Sequence, residues 1–63
     1  MSQKELLYYE DAIQHEDYTI KICKDIASKL KDSDLINFIN DEIKHHQMMK
    51  KKLLTQMEDI CNE

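Results

Sequence analysis

The chain has 63 residues and contains neither glycine nor proline. A chain this short forms one domain at most, and sheets and long loops rarely form without glycine or proline, so an all-α fold is expected. The formal charge is -4 and every Lys/Arg position is lysine; without a basic face or arginine forks, nucleic-acid binding is not expected.

The first predicted helix covers residues 3–31. Ser2 followed by Glu5 matches a capping box, and Lys29 and Lys31 place positive charge in the last turn, where the helix dipole favours it. Its apolar residues recur every three or four positions, which is typical of one helix face, and a carboxylate interrupts them near the middle. This stripe consists of Leu6, Tyr9, Ile13, Glu16, Ile20, Cys23, Ala27 and Leu30.

A turn at residues 32–33 leads to the second predicted helix, at residues 34–61. Asp32 or Ser33 is expected to cap this helix. Because the turn is short, the helices should be antiparallel neighbours, forming one hairpin domain over residues 1–63. The second stripe consists of Leu35, Ile39, Glu42, His46, Met49, Leu53, Gln56 and Ile60.

Each helix also has a second apolar face that a lone hairpin leaves uncovered. On the first helix this face holds Tyr8, Ala12, Thr19, Ile22 and Ile26. On the second it holds Ile36, Phe38, Ile43, Met57 and part of the pair Met48 and Met49. Two apolar faces per helix predict a homodimer of hairpins that forms a four-helix bundle. A different helical partner would use the same face, and this alternative stays open.

The carboxylates on the stripes suggest a site, because a lone buried carboxylate is costly and needs a partner. Glu42 has Glu-x-x-His spacing to His45 and lies four residues before His46, so carboxylate and imidazole share a helix face. These donors suit iron, manganese or zinc, and di-iron bundles use glutamates together with Glu-x-x-His motifs. The candidate metal ligands are therefore Glu16, Glu42, His45, His46 and His15.

The expected register limits this metal hypothesis. With the turn centred between residues 32 and 33, Glu16 is level with about Met49, and Glu42 with about Cys23. The carboxylates are then separated by about 10 Å along the hairpin, at 1.5 Å per residue. A site of Glu16 with His46 or His15 consequently fits better than a full di-iron set.

A structural interpretation of the same residues is a polar layer. Glutamate and histidine can pair across a bundle and fix register and partner choice, as core polar residues do in coiled coils. His45 and His46 are adjacent and cannot both point inward, so one should lie on the surface. Catalysis is less favoured, because a glycine-free hairpin offers no obvious loop for an oxyanion hole beside Cys23.

The two cysteines do not form a disulfide framework, and Cys61 is the one placed to crosslink chains under oxidising conditions. The first residues contain no apolar signal segment, and no stretch approaches membrane-spanning length. We therefore expect synthesis in the cytoplasm, retention in the cell and no membrane partner.

Residues 6–13, Leu-Leu-Tyr-Tyr-Glu-Asp-Ala-Ile, followed by His15 and Glu16, form a distinctive run. Further along the chain come Cys23, Leu30, Asp32, Leu35 and His46. Over residues 6–54 the chain resembles small spore coat proteins of endospore-forming bacteria, of the coat F type with a ferritin-like helical arrangement.

The resemblance implies a place in or around the spore coat, contact with other coat proteins, and a ferritin-like bundle whose larger relatives often bind iron. The positions it carries over are Glu10, Asp11, His15, Glu16 and His46, whereas Glu42 is not part of the family pattern.

Overall fold

The computed structural model describes residues 1–62 and contains two helices, α1 at Gln3–Lys29 and α2 at Ser33–Cys61, which pack against each other. The predicted all-α helical hairpin is therefore confirmed. No strand occurs within residues 1–62, and no helix there combines the length and apolar character needed to cross a membrane. The hairpin measures 47 × 15 × 10 Å along its principal axes, so it is long and one layer thick.

Side-chain caps start both helices. The Ser2 hydroxyl accepts the Glu5 backbone N–H at 3.2 Å and donates to the Glu5 carboxylate at 3.0 Å. Asp32 caps α2, because its carboxylate accepts the backbone N–H of Leu35 at 3.0 Å. Each contact satisfies an N–H group that has no partner within its helix.

Helix α1 ends at Lys29, two residues before the predicted end at residue 31. Leu30 is extended, with φ -78° and ψ 149°, and its N–H makes the last helical bond, to the Ile26 carbonyl. Asp32 must also be extended to cap α2. Residues 30–32 consequently form the connection, which is centred on Lys31.

The predicted stripe of α1 lies in the contact between the helices. Ile20 is buried, and the rest of the stripe is half-buried.

The contact surface of α2 differs from the prediction. Ile39, His46, Leu53 and Ile60 are half-buried as expected, but Leu35, Met49 and Gln56 are exposed. The residues next to α1 are instead those that follow Leu35, Glu42, Met49 and Gln56 by one position. These residues are Ile36, Ile43, Lys50 and Met57.

The reason for this rotation of α2 is the composition of the two candidate edges of its stripe. The predicted edge would place Glu42 and Gln56 in the contact, whereas the observed edge buries Ile43 and half-buries Met57. Full burial of one such apolar side chain contributes about 1.5–3 kcal/mol. The one charged residue on the observed edge, Lys50, extends its ammonium group to Asp17.

The interior of the hairpin is small. Ile20 and Ile43, each 8% exposed, are the only buried residues among residues 1–62. They lie at nearly the same level of the hairpin, close to its middle. A core of this size gives a single chain marginal stability.

Candidate functional site

The most specific contact between the helices joins Glu16 of α1 to His46 of α2. The distance from Glu16 Oε2 to His46 Nδ1 is 2.6 Å, and the two side chains are 15% and 24% exposed. An ionised carboxylate only accepts, so with ionised Glu16 it is the Nδ1–H of His46 that donates. This bond sets which ring nitrogen carries a proton in the neutral imidazole.

A second carboxylate approaches the other side of the ring. Glu42 lies one turn before His46, and its Oε2 is 3.8 Å from His46 Nε2. This distance is too long for a hydrogen bond but close enough for charge attraction when the ring is protonated. A neutral ring with its proton on Nδ1 presents the Nε2 lone pair to Glu42, and an imidazolium presents an N–H. We call Glu16, Glu42 and His46 the polar cluster.

A cross-helix ion pair lies beside the polar cluster. Lys50 Nζ is 2.6 Å from Asp17 Oδ1. Asp17 directly follows Glu16 on α1, and Lys50 lies about one turn after His46 on α2. Two polar contacts between the helices therefore fix the same part of the register. The sequence interpretation missed it, because Lys50 belongs to the lysine run 50–52, which resembles a solvated surface. The sequence feature that could have identified this contact is that Lys50 lies seven residues after Ile43, on the same side of the helix.

The observed register corrects the predicted one. Glu16 lies opposite His46 and not level with Met49. The difference follows from the connection, which is centred on Lys31 and not between residues 32 and 33. Both carboxylates therefore approach a single imidazole, whereas the predicted register separated Glu16 from Glu42 by about seven residues.

The other two candidate histidines are exposed. The His45 ring lies edge-on to the His46 ring, with 5.7 Å between centroids and 75° between planes. His15 lines a shallow surface depression with Asp11 and Tyr18. The structure thus brings Glu16, Glu42 and His46 together, places His45 beside them, and leaves His15 outside.

A metal site does not follow from one hairpin. Carboxylate and imidazole donors suit iron, manganese or zinc, but no group of three or more His, Cys, Asp or Glu side chains within residues 1–62 is arranged to hold a metal ion. The Nδ1 of His46 is already engaged by Glu16. A metal in this region would need donors from another chain.

The polar cluster adjoins one apolar side of the hairpin. In antiparallel neighbours, residues that flank the contact on corresponding sides of the two helices share one face of the pair. We call this the apolar face. It consists of Tyr8, Ala12, His15, Thr19, Ile22 and Ile26 of α1 with Leu35, Phe38, Glu42, His45, Met49, Lys52 and Gln56 of α2.

The α1 half of this face matches the predicted second face, but the α2 half does not. Ile36, Ile43 and Met57 were predicted on it and instead lie in the contact with α1. Leu35 and Met49 are exposed in their stead. This exchange is the same rotation of α2 that exposes Gln56 and leaves Glu42 half-buried at the edge of the contact.

The opposite face of the hairpin is charged. At the flanking positions there it carries Glu10, Asp17, Lys21, Lys24, Lys44, Gln47 and Lys51, and its apolar residues are Leu7 and Leu54. The two faces therefore differ in chemistry, and the apolar face is the one suited to contact with another protein.

Comparisons of the chain with protein-family models, with curated proteins and with solved structures give no match. The resemblance to small spore coat proteins therefore stays a prediction, carried by the residues quoted for it.

Proposed function

We propose that this protein is a small structural assembly protein whose hairpin pairs with a second copy through the apolar face, forming a four-helix bundle. The observation that carries the proposal is the contrast between a core of only two buried side chains, Ile20 and Ile43, and the large apolar side chains exposed on the apolar face. The exposed set on that face is Tyr8, Ile22, Ile26, Leu35, Phe38 and Met49.

The exposed area supports the proposal quantitatively. The chain exposes 5121 Å² of surface, whereas a compact monomer of its mass exposes about 4300 Å². The excess is roughly 800 Å², which is about the share of one partner in a standard protein interface. Pairing with a second copy would bring the exposed area per chain into the range of folded monomers.

The polar cluster fits the role of a specificity element. A paired polar group inside a helical bundle stabilises it little but disfavours registers that would leave the group without a partner. In the proposed bundle, Glu16 and His46 satisfy each other, and Glu42 and His45 lie on the face that meets the second copy. The polar cluster would then restrict how two hairpins align.

We place this assembly protein in or around the spore coat, after synthesis in the cytoplasm, with other coat proteins as further partners. The support is the resemblance over residues 6–54. Two positions that it carries over, Glu10 and Asp11, are exposed and lie away from the apolar face, which leaves them accessible to neighbouring proteins in a layer. The location is tested by immunogold labelling of the protein in sporulating cells that encode it.

A second candidate function is metal binding in the core of the paired bundle. The observation that favours it is the pair of carboxylates, Glu16 and Glu42, on either side of His46. Two copies would bring four carboxylates and two imidazoles to one layer. Metal content per chain, measured after exposure to iron, manganese and zinc, separates this candidate from a purely structural role.

The proposed self-association is tested by sedimentation equilibrium over a range of protein concentrations. We expect a particle mass near twice the 7.6 kDa of one chain, and this mass should fall on dilution. A particle that keeps the mass of one chain at high concentration would contradict the proposal.

A further inference from the structure

The polar cluster lies at half-length of the hairpin. Glu16 is the central residue of α1, Gln3–Lys29, and His46 is one residue from the centre of α2, Ser33–Cys61. Two hairpins that overlap along their full length therefore bring their polar clusters to the same level, whichever way the second copy points. A shift by one heptad would place each cluster against apolar residues, which is unfavourable.

The apolar side chains are unevenly distributed along the apolar face. Near the turn, Ile22 and Ile26 of α1 lie alongside Leu35 and Phe38 of α2, and all four are exposed. We call these four residues the turn patch.

Beyond the polar cluster, the face becomes more polar. Tyr8, Ala12 and Met49 lie there together with Gln56 and Lys52. Glu5 and Asp59 flank this end of the face and give it negative charges close to Lys52.

Two symmetric arrangements cover the apolar face. With the turns at opposite ends, each turn patch meets the polar end of the other copy and buries Lys52 and Gln56 against isoleucine and phenylalanine. With the turns at the same end, each turn patch meets its own copy, as a two-fold interface requires. At the far end, Lys52 of each copy then faces acidic residues of the other.

We propose that two copies pair through the apolar face with their turns at the same end, so that the two turn patches contact each other. This inference rests on the proposed self-association and specifies its surface and direction. It removes four large apolar side chains per chain from water and avoids burying Lys52 against them.

The distance between the two Cys61 residues tests the direction, because Cys61 is an exposed thiol at the end opposite the turn. It lies fifteen residues beyond His46, which is about 22 Å along the helix. With the turns together, spin labels attached to the two Cys61 thiols would be separated only across the bundle. Their distance would be less than roughly 30 Å, because the axes of neighbouring helices lie about 8–10 Å apart. With the turns apart, the separation along the bundle is about 44 Å.

The experiment attaches spin labels to Cys61 in a Cys23→Ala chain and measures the label distance by pulsed electron resonance. A matched chain carries Lys31→Cys with Cys23→Ala and Cys61→Ala, since Lys31 lies equally far from the polar cluster at the other end. Short distances in both dimers are expected. Long distances in both dimers would overturn the proposed direction and leave the self-association standing. If the labelled protein has the mass of a single chain, both proposals are overturned.

Unaltered protein provides a second measurement if the labelled chains fail to fold. Unlabelled and ¹⁵N-labelled chains are mixed and treated with a lysine-reactive crosslinker. Crosslinked peptides that contain both isotopes then come only from links between two copies. Links from Lys31 to Lys31 are expected. Links between copies that join Lys31 to Lys4 would contradict the same-end arrangement.

Discussion

Glu16 and His46, 30 residues apart in the sequence, meet at half-length of the hairpin with 2.6 Å between Oε2 and Nδ1. This contact aligns α1 with α2 and places the polar cluster beside the face through which we propose that the protein pairs. The same contact gives the most direct test of the hairpin register.

Removing the Glu16 carboxylate should destabilise the hairpin, because it leaves the half-buried Nδ1–H of His46 without its acceptor. We expect Glu16→Ala to lower the free energy of unfolding by about 1–2 kcal/mol, and Glu16→Gln, which keeps an acceptor oxygen, by less. Glu42→Ala is the control, since its carboxylate is 3.8 Å from the ring and 43% exposed. Urea unfolding at one protein concentration compares the three, and equal losses in Glu16→Ala and Glu42→Ala would contradict the assigned contact.

Truncating Ile43 tests the rotation of α2. Ile43 is 8% exposed, and loss of a buried isoleucine side chain costs about 2–5 kcal/mol, with the low end expected in a core this thin. Leu7→Ala, on the charged face, is the control and should cost less than about 0.5 kcal/mol. Chemical unfolding measures both, and a negligible effect of Ile43→Ala would indicate that this edge of α2 does not contact α1.

Replacing Lys50 tests whether its ion pair stabilises the hairpin or only occupies the contact. The ion pair with Asp17 is partly exposed, and such pairs contribute about 0–1 kcal/mol. Lys50→Met extends the apolar edge formed by Ile36, Ile43 and Met57, so we expect an unchanged or slightly raised melting temperature. A large fall in the melting temperature, measured by circular dichroism, would show that the ion pair is needed.

Chelation separates the two candidate functions. If the polar cluster is a structural layer, a chelator should leave both the melting temperature and the particle mass unchanged. If the cluster holds a metal shared between copies, the chelator should lower the stability of the wild type and have no effect on His46→Ala. Metal content per chain, by plasma mass spectrometry, completes the comparison, and near-stoichiometric metal that is lost in His46→Ala would favour the second candidate.

The sequence predicted those parts of the fold that local chemistry determines. The absence of glycine and proline indicated helices, and the Ser2 and Asp32 caps were identifiable because their side chains bond to backbone groups three residues on. The α1 stripe was predicted correctly, because Ile20 is buried and the other residues of the stripe are half-buried.

The phase of α2 was not predictable from its pattern alone. Two apolar stripes share Ile39, His46, Leu53 and Ile60, and they differ only in which neighbouring positions complete the contact. Packing against α1 decides between them by burying Ile43 in place of Glu42. The Lys50 contact was missed for the same reason, because only the chosen phase places it on the seam.

The level of the polar cluster depended on the connection. A difference of about one and a half residues in the centre of the turn moves the opposite helix by about three residues. The expected turn placed Glu16 level with Met49, three residues from His46, whereas the observed connection brings Glu16 into contact with His46, one of the two histidines favoured as its partner. Sequence spacing identified the residues of the cluster and favoured Glu16 with His46 or His15, and the geometry of residues 30–32 brings Glu16 to His46.

Pairing through the apolar face is tested most directly by two matched substitutions. Leu35 on the apolar face and Leu7 on the opposite side are both leucines near a helix N-terminus and both are 52% exposed, so glutamate has a similar local effect at each position. Sedimentation equilibrium should find that Leu35→Glu yields single chains while Leu7→Glu keeps the wild-type mass. A Leu35→Glu protein that stays helical and keeps the wild-type mass would contradict the account.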